Sequence, residues 1–195
     1  MKHFYIIENK ETFFDKNPAI NMAIDEMLFE FLKKESTKIG FIIRFYTWEN
    51  SYLSFGYTQR IKKKLELLKK FSNNKTQNFV RRPTGGGFVE HGNDICIAIV
   101  SNINLFPKLK KLDYSYNLIH SLILKAIKNL KKDDTDFSSM ILYNSNDETI
   151  NINSKNQKYN FCFEKPVLND IMLKDIKIVG SAQKRVVDKN ITYLL

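Results

Sequence analysis

The β-rich segments of this chain come in runs. Residues 3–7, 41–48, 52–56, 78–82, 94–101, 158–163, 167–173, 176–181 and 190–195 are dense in β-branched and aromatic residues. Three helical patterns interrupt them. Asn17-Pro18 is a helix start, an N-cap residue type followed by proline at the first helical position. Behind it Ile20, Ala23, Ile24, Met27, Leu28, Phe31 and Leu32 repeat at helical spacing, with Asp25 and Glu26 off that stripe. Residues 60–71 place Ile61, Leu65 and Leu68 on one helical face, with their lysines on a solvated one. Asp113 is placed to cap a helix whose apolar face is Ile119, Leu122, Ile123, Ala126, Ile127 and Leu130. Strict strand–helix alternation would favour a parallel sheet. Runs of strands favour α+β, with mixed or antiparallel sheets and helices packed on them. Glu49-Asn50-Ser51 and Lys174-Asp175 read as strand connections, the latter as a hairpin. Residues 132–157 read as a polar insertion or loop, so one domain over 1–195 is expected.

Composition narrows the class. At 43% hydrophobic, 13% aromatic and 27% charged residues, the 195-residue chain is globular and long enough to bury a core without staples. Its two cysteines, Cys96 and Cys162, form no CxxC pair and show no metal-ligand spacing, so no metal site is expected. The apolar run Phe4–Ile7 is too short for a signal peptide, and no stretch approaches the roughly 18 apolar residues of a membrane span. A cytoplasmic protein with reduced thiols and no membrane partner is expected. The net charge of +10 has two readings. One is lysine-rich composition, since 26 of the 31 basic residues are lysine. The other is an anionic partner or cofactor. Of the five arginines, Arg81, Arg82 and Arg185 sit in the segments that carry candidate chemistry.

Three segments stand out. In Arg81-Arg82-Pro83-Thr84-Gly85-Gly86-Gly87-Phe88-Val89-Glu90-His91-Gly92, four of the chain's seven glycines lie within eight residues. Consecutive glycines serve where backbone approaches something closely or turns through positive φ. With two arginines before them and a histidine after, an anion-facing loop is one reading and a glycine hairpin with solvated arginines the other. Neither the Walker nor the Rossmann glycine pattern is present. In Lys177-Ile178-Val179-Gly180-Ser181-Ala182-Gln183-Lys184-Arg185, small residues at 180–182 admit a close neighbour. Lys177 is either a strand lysine in solvent or a charge aimed into a cleft. Cys162, between Phe161 and Phe163, is either a buried apolar residue or, with a positive neighbour, a nucleophile.

Taken in order, these segments resemble the lipoate-protein ligase and octanoyltransferase family, whose catalytic fold is shared with biotin-protein ligases. The likeness runs from about residue 17 to 187 and includes Asn21–Glu26, Trp48-Glu49-Asn50, Gly56-Tyr57-Thr58-Gln59, the arginine–glycine loop with His91, and the lysine motif. The resemblance implies that Arg81, Arg82, Thr84, Gly85, Gly86, Gly87, His91, Gly180, Ser181 and Ala182 bind the acyl substrate. It implies that Lys177 stabilises the oxyanion at the acyl carbonyl, and that a lysine on an acidic lipoyl-carrier domain accepts the acyl group.

The Cys162-Phe163-Glu164-Lys165-Pro166 segment resembles that of a transferase class that uses a cysteine nucleophile. On that reading Cys162 takes octanoate from acyl carrier protein as a thioester and needs no cofactor. The alternatives are a ligase that activates free lipoate with ATP and Mg, a biotin-protein ligase, and a basic binding protein that kept the fold without catalysis. A nucleic-acid partner is not expected. The family pattern would continue past Leu195 with a strand carrying His-Gly, so the domain reads as short at its C-terminus. Without an accessory C-terminal domain, transferase is favoured over ligase. Residues 82–87, 162 and 177 are expected to line one cleft.

Overall fold

A computed structural model describes residues 2–8, 17–48, 52–60, 78–92, 94–130, 137–144 and 166–195. They include eleven strands and two α-helices, in two compact units. Residues 61–71 of the expected helix, the strand at 158–163 and the Glu49–Ser51 connection lie outside the described residues.

The first unit comprises Met1–Leu105 and Ala182–Leu195. Its strands are β1 (His3–Glu8), β2 (Ile39–Thr47), β3 (Tyr52–Phe55), β4 (Asn78–Arg81), β5 (Phe88–His91) and β6 (Ile95–Asn102), then β10 (Arg185–Asp188) and β11 (Ile191–Leu194). Five form a sheet in the order β1-β2-β6-β11-β10, and three form a second in the order β4-β3-β5. Both are mixed. β1 runs parallel to β2 and β3 parallel to β4, while the other pairs are antiparallel. β5 was not legible as a strand, nor was β10. Its hairpin with β11 turns on Lys189 and Asn190, both at positive φ.

Helix α1 (Pro18–Lys34) starts where the sequence predicts. The Asn17 side chain accepts from the Ala19 and Ile20 N–H groups, filling two donors that a helix N-terminus leaves open. Its buried face differs from the expected stripe. Met27 and Phe31 are exposed, whereas Asn21, Met22, Asp25, Leu28, Phe29 and Leu32 are buried. The helix is rotated because β2 offers it a cation. Arg44 lies on the core face of β2 beside Ile42 and Tyr46, fully buried. A buried guanidinium needs acceptors. It donates to Asp25 Oδ1 at 2.7 Å, to the Asn21 carbonyl at 3.2 Å and to Asn21 Oδ1. Tyr46 donates to the other Asp25 oxygen at 2.9 Å. Around this knot Met22, Phe29, Leu32, Ile42, Trp48, Val100 and Tyr193 form the apolar core. Each such side chain stabilises the fold by about 1.5–3 kcal/mol.

The second unit is Phe106–Ser181. It holds α2 (Leu112–Lys128) and a three-stranded antiparallel sheet, β7 (Met140–Leu142), β8 (Ile171–Leu173) and β9 (Ile176–Val179). Asp113 is not the cap of α2. The N-cap is Lys111, which makes no side-chain capping bond, and Asp113 falls in the first turn. β7 arises inside the segment read as a polar insertion. The strand expected at 167–173 begins only at Ile171. Asp170 Oδ2 takes the Val167 N–H at 2.7 Å and Asn169 is left-handed, so the residues before Ile171 form a turn. The predicted Lys174-Asp175 hairpin joins β8 to β9, with Lys174 at positive φ.

Candidate active site

The glycine loop belongs to the first unit and is tied down by its own arginines. Arg82 donates from Nε and Nη2 to the Gly85 carbonyl at 3.1 and 2.8 Å, and from Nη2 to the Gly87 carbonyl at 2.8 Å. Its Nη1 reaches Ser54 Oγ at 3.1 Å. Arg81 lies over the Phe55 ring and donates to the carbonyls of Gly56, Tyr57 and Gln59. The Thr84 carbonyl accepts from the Tyr57 N–H at 2.8 Å. The arginines thus hold two turns, 56–59 and 84–87, in one shape. Gly56 is required for their approach, because a Cβ there would overlap the Gly86 carbonyl oxygen and lie 2.7 Å from the Gly85 carbonyl carbon. Gly86 itself turns through a φ of 93°.

His91 extends this network. Its ring stacks on Trp48 with centroids 4.1 Å apart. Nδ1 faces Asp94 Oδ2 at 2.6 Å, and Nε2 faces Ser54 Oγ at 2.8 Å. Burial pushes the Asp94 carboxyl up, but hydrogen bonds from His91 and the Gly92 N–H outweigh it and hold the group below the ordinary carboxylate range. A carboxylate accepts, so Nδ1 carries a proton. In the neutral ring Nε2 then accepts from Ser54, whose oxygen accepts from Arg82. Asp94, His91, Ser54, Arg82 and the Gly85 carbonyl form one chain of directed bonds.

Cys96 closes the cluster. Its sulfur takes the Trp48 indole N–H at 2.8 Å and lies 3.4 Å from Asp94 Oδ2. Burial and the Asp94 charge push its thiol well above the usual cysteine range. His91, Asp94 and Cys96 offer three donor atoms within 4.8 Å of one another, a gathering that no motif spacing predicted. Those atoms already satisfy one another by hydrogen bonds.

The lysine motif is built in the second unit. Lys177 lies on β9 with its side chain 5% exposed, and its ammonium contacts Asp170 Oδ2 at 2.7 Å. Gly180 makes room for it. A Cβ there would overlap Lys177 Cε and lie 2.7 Å from Nζ. Beside the pair, His120 projects from α2 and is 1% exposed. Its Nδ1 meets the Asn169 carbonyl at 2.6 Å and its Nε2 meets Ser181 Oγ at 2.8 Å. Burial lowers the His120 pKa, and the bond to Asn169 opposes it only in part.

Of the sequence-predicted residues, Arg81, Arg82, Thr84, Gly85, Gly86, Gly87 and His91 come together in the first unit, and Lys177, Gly180 and Ser181 in the second. Ala182 opens the return of the chain to the first unit. Cys162 lies outside the described residues. Ser54, Asp94, Asp170 and His120 were missed. The available signal for His120 was a polar residue at helical spacing among Ile119, Ile123 and Ile127.

The model of the lipoyl protein ligase A/B catalytic domain matches residues 17–194. The chain belongs to this family. Relatives of the lipoyl protein ligase A/B family include the octanoyltransferase LipM of Staphylococcus epidermidis. It is 32% identical over 170 residues, covering 87% of this chain and 58% of that protein. LipM of Bacillus subtilis is 32% identical over 171 residues, covering 87% and 57%. The chain thus spans a little over half the length of the curated relatives it matches. A protein of T. acidophilum, Ta0514, solved with bound lipoic acid, superposes with a TM-score of 0.54 at 20% identity. It covers all of this chain, which spans 65% of it, and the likeness is one of fold. The α+β expectation agrees with both. No helix among the described residues is long and apolar enough to cross a membrane.

Proposed function

We propose that this chain transfers an octanoyl group from acyl carrier protein to a lysine of a lipoyl-carrier domain, through a thioester on Cys162. The reading is supported by family membership and by relatives named octanoyltransferase over 87% of the chain. The observation that carries it is the lysine motif. An ammonium held against Asp170 at 5% side-chain exposure, with Gly180 stripped of a side chain beside it, is a charged donor kept in a dry setting. Such a donor is worth far more to a developing oxyanion there than in water.

On this reading the Cys162 thiolate attacks the thioester carbonyl of the donor. The carbonyl oxygen gathers charge beside Lys177, the acyl carrier thiolate leaves, and the target lysine later displaces Cys162. The loop held by Arg82 orders the acyl chain, and the +10 charge favours an acidic carrier. No cofactor is needed.

Incubation with octanoyl-acyl carrier protein and an apo lipoyl domain, without ATP, tests this by intact mass. The expected result is an octanoyl adduct on the enzyme, lost in Cys162→Ser, and then on the domain. Modification that requires lipoate, ATP and magnesium would replace this reading with the ligase one. No modification with either donor would leave a binding protein.

A further inference from the structure

The lysine motif contains a second device that the acyl-transfer reading does not use. Ser181, exposed, points its hydroxyl at the Nε2 of a buried imidazole. The other side of that imidazole faces a backbone carbonyl, that of Asn169, at 2.6 Å. A carbonyl only accepts, so Nδ1 must carry the proton, and in the neutral ring Nε2 must accept from Ser181. The tautomer is therefore set by the fold.

The carbonyl itself is held in place. Asn169 sits at a φ of 73°, left-handed for a residue with a side chain. It is fastened to α2 at two points, where its Oδ1 accepts from Asn117 at 2.9 Å and its Nδ2 reaches the Asp113 carbonyl at 3.5 Å. Strain of this kind persists where the surroundings over-determine it. Here it aims one carbonyl at one imidazole nitrogen.

We infer that Ser181 and His120 form a proton relay for the amine that accepts the acyl group. The inference rests on the acyl-transfer reading. As the lysine amine attacks the acyl carbonyl, a C–N bond forms and the carbonyl electrons move to oxygen. The nitrogen loses a proton to Ser181 Oγ, and the Ser181 hydroxyl proton passes to His120 Nε2. When the oxyanion collapses, the C–S bond to Cys162 breaks and its thiolate leaves. The imidazolium then returns the proton to that thiolate or to water, so atoms and charge balance. Ser181 touches the substrate and is the catalytic residue, while Asn169 is a positioning residue.

Among the described residues the charged groups facing the imidazole are Asp170 and Lys177, and they act in opposite directions. The Tyr116 ring lies edge-on at 6.3 Å on the same helix. With burial dominant, the ring is neutral through the neutral pH range and ready to accept a proton.

The two half-reactions separate the relay from the reading beneath it. Loading of octanoate from acyl carrier protein, followed without acceptor, tests the reading. Resolution of the loaded enzyme by an apo lipoyl domain tests the relay. Ser181→Ala and His120→Gln are expected to slow resolution about a hundredfold more than they slow loading. Ser181→Thr, which keeps a hydroxyl, should recover most of the loss. The ratio of wild-type to His120→Gln resolution rates should rise with pH through the titration of His120 and then level. Imidazole nitrogen NMR should show a neutral Nδ1–H ring at neutral pH, its Nε2 signal moved by Ser181→Ala.

Equal slowing of both steps, an Nε2–H tautomer, or an octanoyl ester on Ser181 itself would overturn the relay while leaving the transferase reading in place. An enzyme that never loads would end both.

Discussion

Two buried cation–carboxylate pairs, Arg44–Asp25 and Lys177–Asp170, look alike at 2.7 Å each and are built for different ends. Arg44 is a planar fork whose bonds run to Asp25 and twice to Asn21, while Tyr46 holds the far carboxylate oxygen. That arrangement fixes where α1 sits on the sheet. Lys177 ends in a point charge on a flexible stem. Its neighbours are a glycine, a left-handed asparagine and a serine–histidine pair. Burial lifts the Asp25 carboxyl above the ordinary range against the pull of Arg44, and its side-chain partners among the described residues, Arg44 and Tyr46, serve to hold it in place. The first pair fixes a fold. The second holds a charge ready.

The contrast is sharpest under substitution. Arg44→Leu leaves the Asp25 carboxylate buried without its cation, so it should lower unfolding free energy by about 3–5 kcal/mol, read as a shift in the urea midpoint. Adding Asp25→Leu should recover much of that loss, because a packed apolar pair replaces a buried ionic one at little net cost. If Arg44→Leu is mild, the pair is not what seats the helix.

The two close-approach glycines come next. Gly56→Ala drives a Cβ into backbone, which cannot give, and should cost about 2–3 kcal/mol. Gly180→Ala meets only the end of the Lys177 side chain, which can swing away. It should cost about 1 kcal/mol of stability while slowing octanoyl transfer at least tenfold. Equal thermal shifts in the two variants would show that the two glycines serve alike.

A gentler probe is pH. The unfolded chain protonates His120 near the free value of about 6.5. The folded chain resists until lower pH, because burial lowers the pKa. Between those two values the unfolded state binds more protons, so stability falls as pH drops, by up to about 1.4 kcal/mol per pH unit. His120→Gln should remove that slope from a stability–pH curve and leave the first unit's behaviour unchanged. The smallest effect belongs to the exposed Lys38–Glu35 pair on the surface. Lys38→Ala should move stability by no more than about 0.5 kcal/mol.

The sequence showed the α+β class, the Asn17-Pro18 helix start, most described strands and the two motif segments, since these depend on local chemistry and spacing. It misread the buried face of α1 because polar residues were assigned outward. Asn21 and Asp25 are inside since Arg44, 19 to 23 residues away, meets them there. His120 was hidden likewise, since Asn169 and Ser181 meet it from 49 and 61 residues on, whereas Asp94 and Asp170 are placed by local turns and bind His91, Gly92 and Val167 close by. Each gains its meaning from a partner distant in sequence or from a turn, and hydrophobic periodicity carries no sign of that. β5, β7 and β10 were hidden by their settings: Phe88–His91 directly follows the triple glycine, Met140–Leu142 lies in a run of Asp, Ser and Asn, and Arg185–Asp188 begins and ends on a charge.

The setting of Cys96 has a practical consequence at the bench. A sulfur held between indole and carboxylate, with its thiol pushed up by burial and the Asp94 charge, should resist an alkylating reagent at neutral pH. Iodoacetamide labelling of the native chain should therefore leave Cys96 untouched, and any modified peptide will carry Cys162. One digest and one mass spectrum then report the exposure and nucleophilicity of the sulfur assigned to chemistry, with no acyl donor in the tube.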